Sequence, residues 1–205
     1  TYNERENLPS LVRAVVAHAG FSVMVVDDGS PDGTGEVADS LAIEFPGRVD
    51  VLHRTGRKGL GRSYIEALTL ARTRDEDFVC QMDADWSHDP QYLPELVAAA
   101  LDRQLDLVIG SRYMHGVSVV NWPLRRLILS TFANRYIRAV THLPADDCTS
   151  GFRCWRRAAL SRVPLDRIAS DGYAFQVEML FESHRRGCRI GEAPIIFVER
   201  RMGRS

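Results

Sequence analysis

No run of about 18 apolar residues occurs in this 205-residue chain, so no segment is expected to span a bilayer. Nothing at its start reads as a signal peptide. Neither sign of charge dominates: 26 Lys and Arg against 27 Asp and Glu leave a formal net charge of −1, which argues against a nucleic-acid partner. The four cysteines (Cys80, Cys148, Cys154 and Cys188) are scattered, with no Cys-x-x-Cys. That distribution fits reduced thiols in a cytosolic setting rather than a disulfide framework or a zinc site. Gly-x-x-x-x-Gly-Lys-Ser/Thr is absent, and Gly56-Arg57-Lys58-Gly59-Leu60-Gly61 does not fit Gly-x-Gly-x-x-Gly. Gly-x-Ser-x-Gly and His-Glu-x-x-His are absent too, which sets nucleophilic triads and zincin chemistry aside. What is present is a normal globular balance, 45% hydrophobic and 26% charged, in a chain long enough for one domain with a sizeable core.

Apolar spacing at Leu8, Leu11, Val12, Val15 and Val16 predicts an amphipathic helix. A strand over Phe21–Val26 runs into the turn cluster Asp27-Asp28-Gly29-Ser30-Pro31-Asp32-Gly33-Thr34. A second helix, with Val37, Ala38, Leu41 and Phe45 on one face, stops at Pro46-Gly47. A short strand at 49–52, a basic Gly-rich loop at 53–61 and a helix with Ile65, Leu68 and Ala71 inward follow. The next apolar run, up to Met82, reads as a buried strand. Pro90 opens a helix with Leu93, Leu96, Val97, Ala100 and Leu101 inward, and a strand from Leu105 to Ile109 ends at Gly110-Ser111-Arg112-Tyr113. This alternation predicts an α/β fold, a mostly parallel sheet with helices on both faces and right-handed connections. The strands before Asp27 and Asp83 both end in acidic turns, which should open onto one edge of the sheet. Past Tyr113 the pattern changes. A helix from Trp122 to Val140, a turn at 146–153 leading into a strand, a helix from Tyr173 to Arg186 and a strand from Ile195 to Val198 are expected.

Chemistry concentrates in Met82-Asp83-Ala84-Asp85-Trp86-Ser87-His88-Asp89-Pro90. In an extended chain the Asp83 and Asp85 side chains point the same way, so both reach one ion. Hard divalent cations take oxygen ligands and leave positions for water and phosphates, and the carboxyl end of a strand in an open sheet is where such folds bind ligands. The plainer alternative is a turn in which Asp serves as a local cap. Asp28, Asp83 and Asp85, set with Arg112, Arg126 and Arg200, suit a metal-bridged diphosphate with a second anion nearby, because the guanidinium fork grips phosphate oxygens in pairs. For each arginine the alternative is a solvated surface charge. Arg126 and Ser130 are four apart on one helical face and could hold one phosphate together. The 122–140 helix is apolar almost all round yet carries Arg125, Arg126, Arg135 and Arg138. It reads either as a helix at a membrane interface or as an ordinary packed one. Phe175 and Met179 read as core, and His53 and His88 receive no role.

Seven motifs occur in order: Tyr2-Asn3-Glu4, the 26–34 acidic turn, Met82-Asp83-Ala84-Asp85-x-Ser87-His88, Gly110-Ser111-Arg112-Tyr113, Thr149-Ser150-Gly151-Phe152-Arg153, Gly172-Tyr173-x-Phe175-Gln176-x-Glu178 and Phe197-Val198-x-Arg200. Together they resemble the polyprenol (dolichyl) phosphate mannosyltransferases of the GT-A, family 2 glycosyltransferases, over nearly the whole chain. The resemblance implies a Rossmann-like three-layer α/β/α fold. It implies one catalytic domain over 1–205, with a nucleotide-sugar half to about 113 and an acceptor half from 114. The implied reaction is an inverting, metal-dependent transfer of mannose from GDP-mannose to a polyprenyl monophosphate.

By the same resemblance, Tyr2, Glu4, Val26 and Asp28 hold the guanosine of the donor. Asp83, Ala84 and Asp85 hold its diphosphate, with Asp83, Asp85 and Ser87 on Mg²⁺ or Mn²⁺; Ser87 stands where some relatives carry Gln. Arg112, Arg126 and Ser130 take the acceptor phosphate, Arg200 faces the donor, and the catalytic set is Asp85, Arg112 and Arg126. Tyr173, Phe175, Gln176 and Glu178 line the sugar and the cleft floor, Glu178 either fixing sugar hydroxyls or pairing with an arginine. The implied location is peripheral, on the cytoplasmic face of a membrane, with a membrane-anchoring domain or subunit as a possible partner. Thr1 and Ser205 both fall inside motifs, as expected of a piece of a longer chain. Two other readings stay open: transfer of glucose or aminoarabinose to the same lipid phosphate, and a non-catalytic module that binds sugar nucleotides.

Overall fold

The computed structural model describes residues 1–56, 58–114 and 116–199. The helix α1 (Leu8–Val16) buries Leu8, Leu11, Val12 and Val15, the face that the apolar spacing marks. It packs with α2 (Thr34–Glu44) on a parallel pair, β1 (Val23–Asp27) with β2 (Val49–His53), around Val25, Ala38, Leu41 and Val49. The α3 helix (Leu60–Ala71) leads to β3 (Phe78–Gln81), and α4 (Leu93–Asp102) leads to β4 (Leu107–Ser111).

A four-stranded sheet then departs from simple parallel order. The strand β6 (Arg153–Arg156) inserts between β3 and β4, antiparallel to both, while β7 (Ile190–Pro194) pairs in parallel with β4. Among the described residues three of the five pairings are parallel: β1 with β2, β4 with β7, and the short β5 (Val119–Val120) with β8 (Phe197–Val198). Because β6 is central, its residues are buried on both faces. Arg153 and Trp155 face one side, Phe152 and Cys154 the other. Strand β4 alternates likewise: Leu107 and Ile109 join a core with Phe175, Met179 and Leu180, and Val108 joins one with Leu96 and Ala100. These are the middle and outer layers of an α/β/α arrangement.

Leu101, expected inward on α4, is 53% exposed, and several strand boundaries differ from expectation, β1 running from Val23 to Asp27 rather than from Phe21 to Val26. The strand expected from Leu105 begins at Leu107, because Leu105 N closes the end of α4 on Ala100 O and Asp106 N pairs with Arg189 O. The single strand expected over Ile195–Val198 is two elements. Strand β7 ends at Pro194, Ile195 N still bonds Ser111 O, and the chain then leaves β4 to pair with β5. Pro194 has no N–H to extend the ladder.

The helix α5 (Leu124–Thr141) turns Asn134 inward. Leu124, Ile128, Phe132, Tyr136 and Val140, each four residues from the next, stand exposed as one stripe, with Leu129 beside it. The small α6 (Arg157–Leu160) and the longer α7 (Gly172–Arg185) complete the chain, and α7 stacks Phe175 on Tyr64 of α3 at 5.7 Å. Among the described residues, no helix is long and apolar enough to cross a membrane.

Candidate active site

Strand β1 ends at Asp27, where the chain must turn sharply, and Asp27 stabilises the turn by accepting from the hydroxyl of Ser30 at 2.5 Å. Asp28, next in line, is nearly buried and bonds to the Arg54 guanidinium and to Gly59 N at 2.9 Å. Asp28 therefore ties together the two ends of the Gly-rich loop, at Arg54 and Gly59. Lys58 from that loop donates to Gly29 O at 3.0 Å and lies 4.6 Å from the centre of the Tyr2 ring, a cation–π contact. Tyr2 is half exposed. Glu4 is buried, its carboxylate accepting from the Asn7 amide at 2.7 Å and its N–H donating to Thr34. Val26 bonds through its carbonyl to Thr1 N, and Thr1 lies within electrostatic reach of Asp27, Asp28, Asp83 and Glu4. The two acidic turns thus meet near Thr1, although β1 and β3 belong to separate sheets rather than to one shared edge as expected.

The second acidic turn follows β3. Asp85 is buried and accepts from Ser87 N at 3.0 Å, whereas Asp83 keeps a side chain 41% exposed. Asp83 N donates to His88 Nδ1 at 3.2 Å. An accepting Nδ1 makes His88 a neutral ring with its proton on Nε2, and burial, its largest influence, lowers its pKa in the same sense. His88 is sealed between Phe152, stacked at 4.9 Å, and Phe197, edge-on at 5.5 Å. Tyr64 reaches Asp83 Oδ1 at 3.4 Å. Below the turn runs a polar chain within the core: Trp155 donates to Gln81, and Gln81 donates to Gln176. Gln176 Nε2 and both Asp83 oxygens border Gly151, within 3.5 and 3.7 Å of where a Cβ would stand.

The Arg112 and Arg126 environments differ. Arg112 is nearly buried and meets Asp147 through Nε and Nη2, both at 2.6 Å, while its own N–H also donates to Asp147. Nη2 also reaches Thr149 at 2.9 Å, leaving Nη1 without a hydrogen bond among the described residues. Burial opposes its charge, but Asp147 more than offsets this and raises the pKa above that of an ordinary arginine. Arg126 stands on the Trp122 ring at 4.3 Å and gives Nη1 to both oxygens of Glu199, at 2.5 and 2.6 Å. Ser130 accepts from the Tyr113 hydroxyl at 2.8 Å. Arg200 lies outside the described residues.

Two connections join the acidic side to the arginine side. The 147–151 turn grips Arg112 at one end and passes Asp83 at the other. Val198 N of β8 bonds Ser87 O, one residue before Glu199. His88 accordingly feels Asp83, Asp85, Arg112 and Asp147 together. Arg153 pins the same turn from within the core, donating to Ser150 O and Cys148 O; its Nη1 has no partner among the described residues, and burial lowers its pKa to about 10, so it stays a cation.

Among the described residues, no group of three or more His, Cys, Asp or Glu could hold a metal ion. The described residues thus bring at most two carboxylates to such a site, and among them Ser87 Oγ is buried with no hydrogen-bond partner. Two carboxylates and a spare hydroxyl are a donor set suited to a hard cation that completes its shell with water and phosphate oxygens.

Residues 1–164 match the model of glycosyl transferase family 2. The chain belongs to this family. Two family relatives are similar over almost its whole length. Polyprenol monophosphomannose synthase of Mycolicibacterium smegmatis is 45% identical over 204 residues, covering 99% of this chain and 77% of that protein. Undecaprenyl-phosphate mannosyltransferase of Micrococcus luteus is 48% identical over 206 residues, covering 100% of this chain and 84% of that protein. The resemblance drawn from the motifs therefore holds. Among solved structures, glucosyl-3-phosphoglycerate synthase of Mycobacterium tuberculosis, in complex with Mn²⁺, UDP-glucose and phosphoglyceric acid, aligns with a TM-score of 0.73 at 19% identity, covering 100% of this chain and 70% of that one. At that identity the likeness concerns the fold, and the expected GT-A class is borne out.

Sequence reasoning missed several members of the site: Arg54, Tyr64, Gln81, Asp147 and Glu199. Asp147 left a trace, since it lies in an acidic turn beside a motif. Among the described residues Glu178 makes no ion pair with an arginine. It accepts from the N–H groups of Ala169 and Ser170 and so shapes the loop before α7.

Proposed function

We propose that this chain transfers mannose from GDP-mannose to the phosphate of a polyprenyl monophosphate, inverting the anomeric carbon, with residues 1–205 acting as one catalytic unit. The observation that carries the reading is the 147–151 turn, which holds Arg112 at one end and borders Asp83 at the other. A donor diphosphate at the acidic turn and an acceptor phosphate at the arginines would then be neighbours. The names and identities of the two mannosyltransferase relatives support the sugar and the lipid phosphate.

A phosphate monoester is already anionic at neutral pH, its second pKa being near ~6. It needs no strong base, and the buried ring beside Asp83 is neutral His88, itself sealed by aromatic rings. What the acceptor needs is orientation and relief of charge repulsion. Arg112 through its open Nη1, Arg126 and Ser130 would orient it. Asp83, Asp85 and Ser87 would hold Mg²⁺ or Mn²⁺, which when bound stabilises charge on the departing nucleoside diphosphate. Tyr2, Glu4, Val26 and Asp28 would frame the guanosine, with Ala84 against the diphosphate; Asp28 does so by tying together the two ends of the Gly-rich loop, at Arg54 and Gly59. Arg200 would face the donor. The exposed apolar stripe of α5, with Arg125 and Arg135 along it, would lie on the membrane that carries the acceptor, on its cytoplasmic face.

The test is transfer from a panel of GDP-mannose, UDP-glucose and UDP-aminoarabinose to a short polyprenyl phosphate. Mannosyl product from GDP-mannose alone supports the reading. Transfer of another sugar corrects the donor, and nucleotide binding without any product would mark a binding module.

A further inference from the structure

Arg112 and Arg126 are both already occupied by carboxylates, but in unlike ways. Asp147 is fully buried and meets Arg112 through two nitrogens, while its own N–H is held by Glu192. That pair is part of the framework. Glu199 and Arg126 are 35% and 38% exposed, and both Glu199 oxygens crowd one nitrogen, Nη1. The fork of Arg126 is only partly used, since Nε and Nη2 have no hydrogen bond among the described residues. The two backbones are fixed independently of the pair. Glu199 N bonds Val120 O, Val198 N bonds Ser87 O, and the Arg126 guanidinium rests on the Trp122 ring, which Phe197 supports at 5.4 Å. Releasing the pair therefore asks only for a side-chain rotation of Glu199. Trp122 Nε1, beside this pair, is buried and makes no hydrogen bond among the described residues.

We propose that Glu199 is an internal stand-in for the acceptor phosphate, holding Arg126 until a phosphate displaces it, and that this competition sets the acceptor affinity. This rests on the reading that Arg126 serves a lipid phosphate. A carboxylate offers two oxygens and one charge; a phosphate monoester offers three oxygens and close to two charges. The phosphate uses the planar fork that Glu199 leaves open. Because Glu199 follows directly on the residue bonded to Ser87, its displacement occurs beside the acidic turn.

The experiment compares wild type with Glu199→Gln, using a short-chain polyprenyl phosphate. Turnover with GDP-mannose gives the acceptor and donor KM, and Trp122 fluorescence, identified by its loss in Trp122→Phe, gives acceptor binding without turnover. Removing the competitor should lower the acceptor KM and Kd by up to about fivefold, the range of an exposed ion pair, with the donor KM unaltered. An acceptor KM or Kd that is unchanged or raised would overturn the proposal, since Glu199 would then merely steady Arg126. Tighter phosphate binding in the variant without mannosyl transfer by either protein would keep the stand-in and reject the mannosyl reading. No binding and no transfer would reject both.

Discussion

Asp147 holds Arg112 through two oxygens, each 2.6 Å from a guanidinium nitrogen, in surroundings that leave the carboxylate no access to water. A charge so placed is stable only while its partner remains. Asp147→Ala should cost roughly 3–5 kcal/mol in unfolding free energy, because it strands Arg112. Glu199→Gln, breaking an exposed pair, should cost no more than about 1 kcal/mol. Urea unfolding of both variants checks the contrast; equal losses would place the two pairs in the same class.

The α3–α7 junction beneath the cleft tolerates no side chain at Gly61. A Cβ there would stand 2.6 Å from Ser170 O and 3.2 Å from the Phe175 ring, and Gly61 N donates to Asp171 Oδ1 at 2.6 Å. Gly61→Ala should destabilise by about 1–3 kcal/mol. Gly56→Ala, where nothing among the described residues lies within 4 Å, should leave the melting temperature nearly unaltered. Calorimetry of the pair measures this directly.

The sequence showed most where interactions are local. The apolar spacing of α1 identified its buried face, and the period of α7 put Phe175 and Met179 in the core, where both are fully buried. The antiparallel entry of β6 was not legible, because strand order depends on pairing between distant segments and short apolar runs look alike whichever neighbour they join. The arginine partners were hidden for the same reason: Asp147 lies 35 residues from Arg112, and Glu199 lies 73 from Arg126. Glu199 is moreover the unspecified position inside Phe197-Val198-x-Arg200, so motif reading steps over it. The exposed stripe of α5 was half legible. Its apolar residues could be counted, but only packing tells which of them face outward.

Acid sensitivity should arise partly at Asp106, far from the cleft. Burial raises its pKa, yet bonds from Arg189 N at 2.8 Å and Arg162 at 3.0 Å more than offset this, so the folded value lies below the ordinary 3.8. A lowered carboxylate pKa contributes stability above the unfolded value and loses it as pH falls through the folded one. Asp106→Asn should therefore cost about 1–3 kcal/mol at neutral pH, and the gap from wild type should close below pH 3.8. Chemical unfolding across that range gives the difference curve; a gap that widens in acid would contradict the assignment.

The stripe on α5 makes a separate statement about membranes. Leu124, Ile128 and Phe132 are each more than 60% exposed. Changing the three to Ser should weaken co-sedimentation with anionic vesicles by about tenfold or more, given the apolar surface each would bury. Because they contribute little to the core, the melting temperature should barely move. Unaltered vesicle binding would assign α5 no part in docking.

The most direct measurement is mannosyl transfer by Asp85→Asn, with donor and divalent cation saturating, beside wild type with and without a chelator. Asp85 is buried at the turn where the donor diphosphate is proposed to bind. Its neutral variant and the chelated wild type should both fall by about a hundredfold or more, the scale of losing charge stabilisation at a leaving group. Turnover near the wild-type rate in either case would contradict a metal-held diphosphate at the acidic pair.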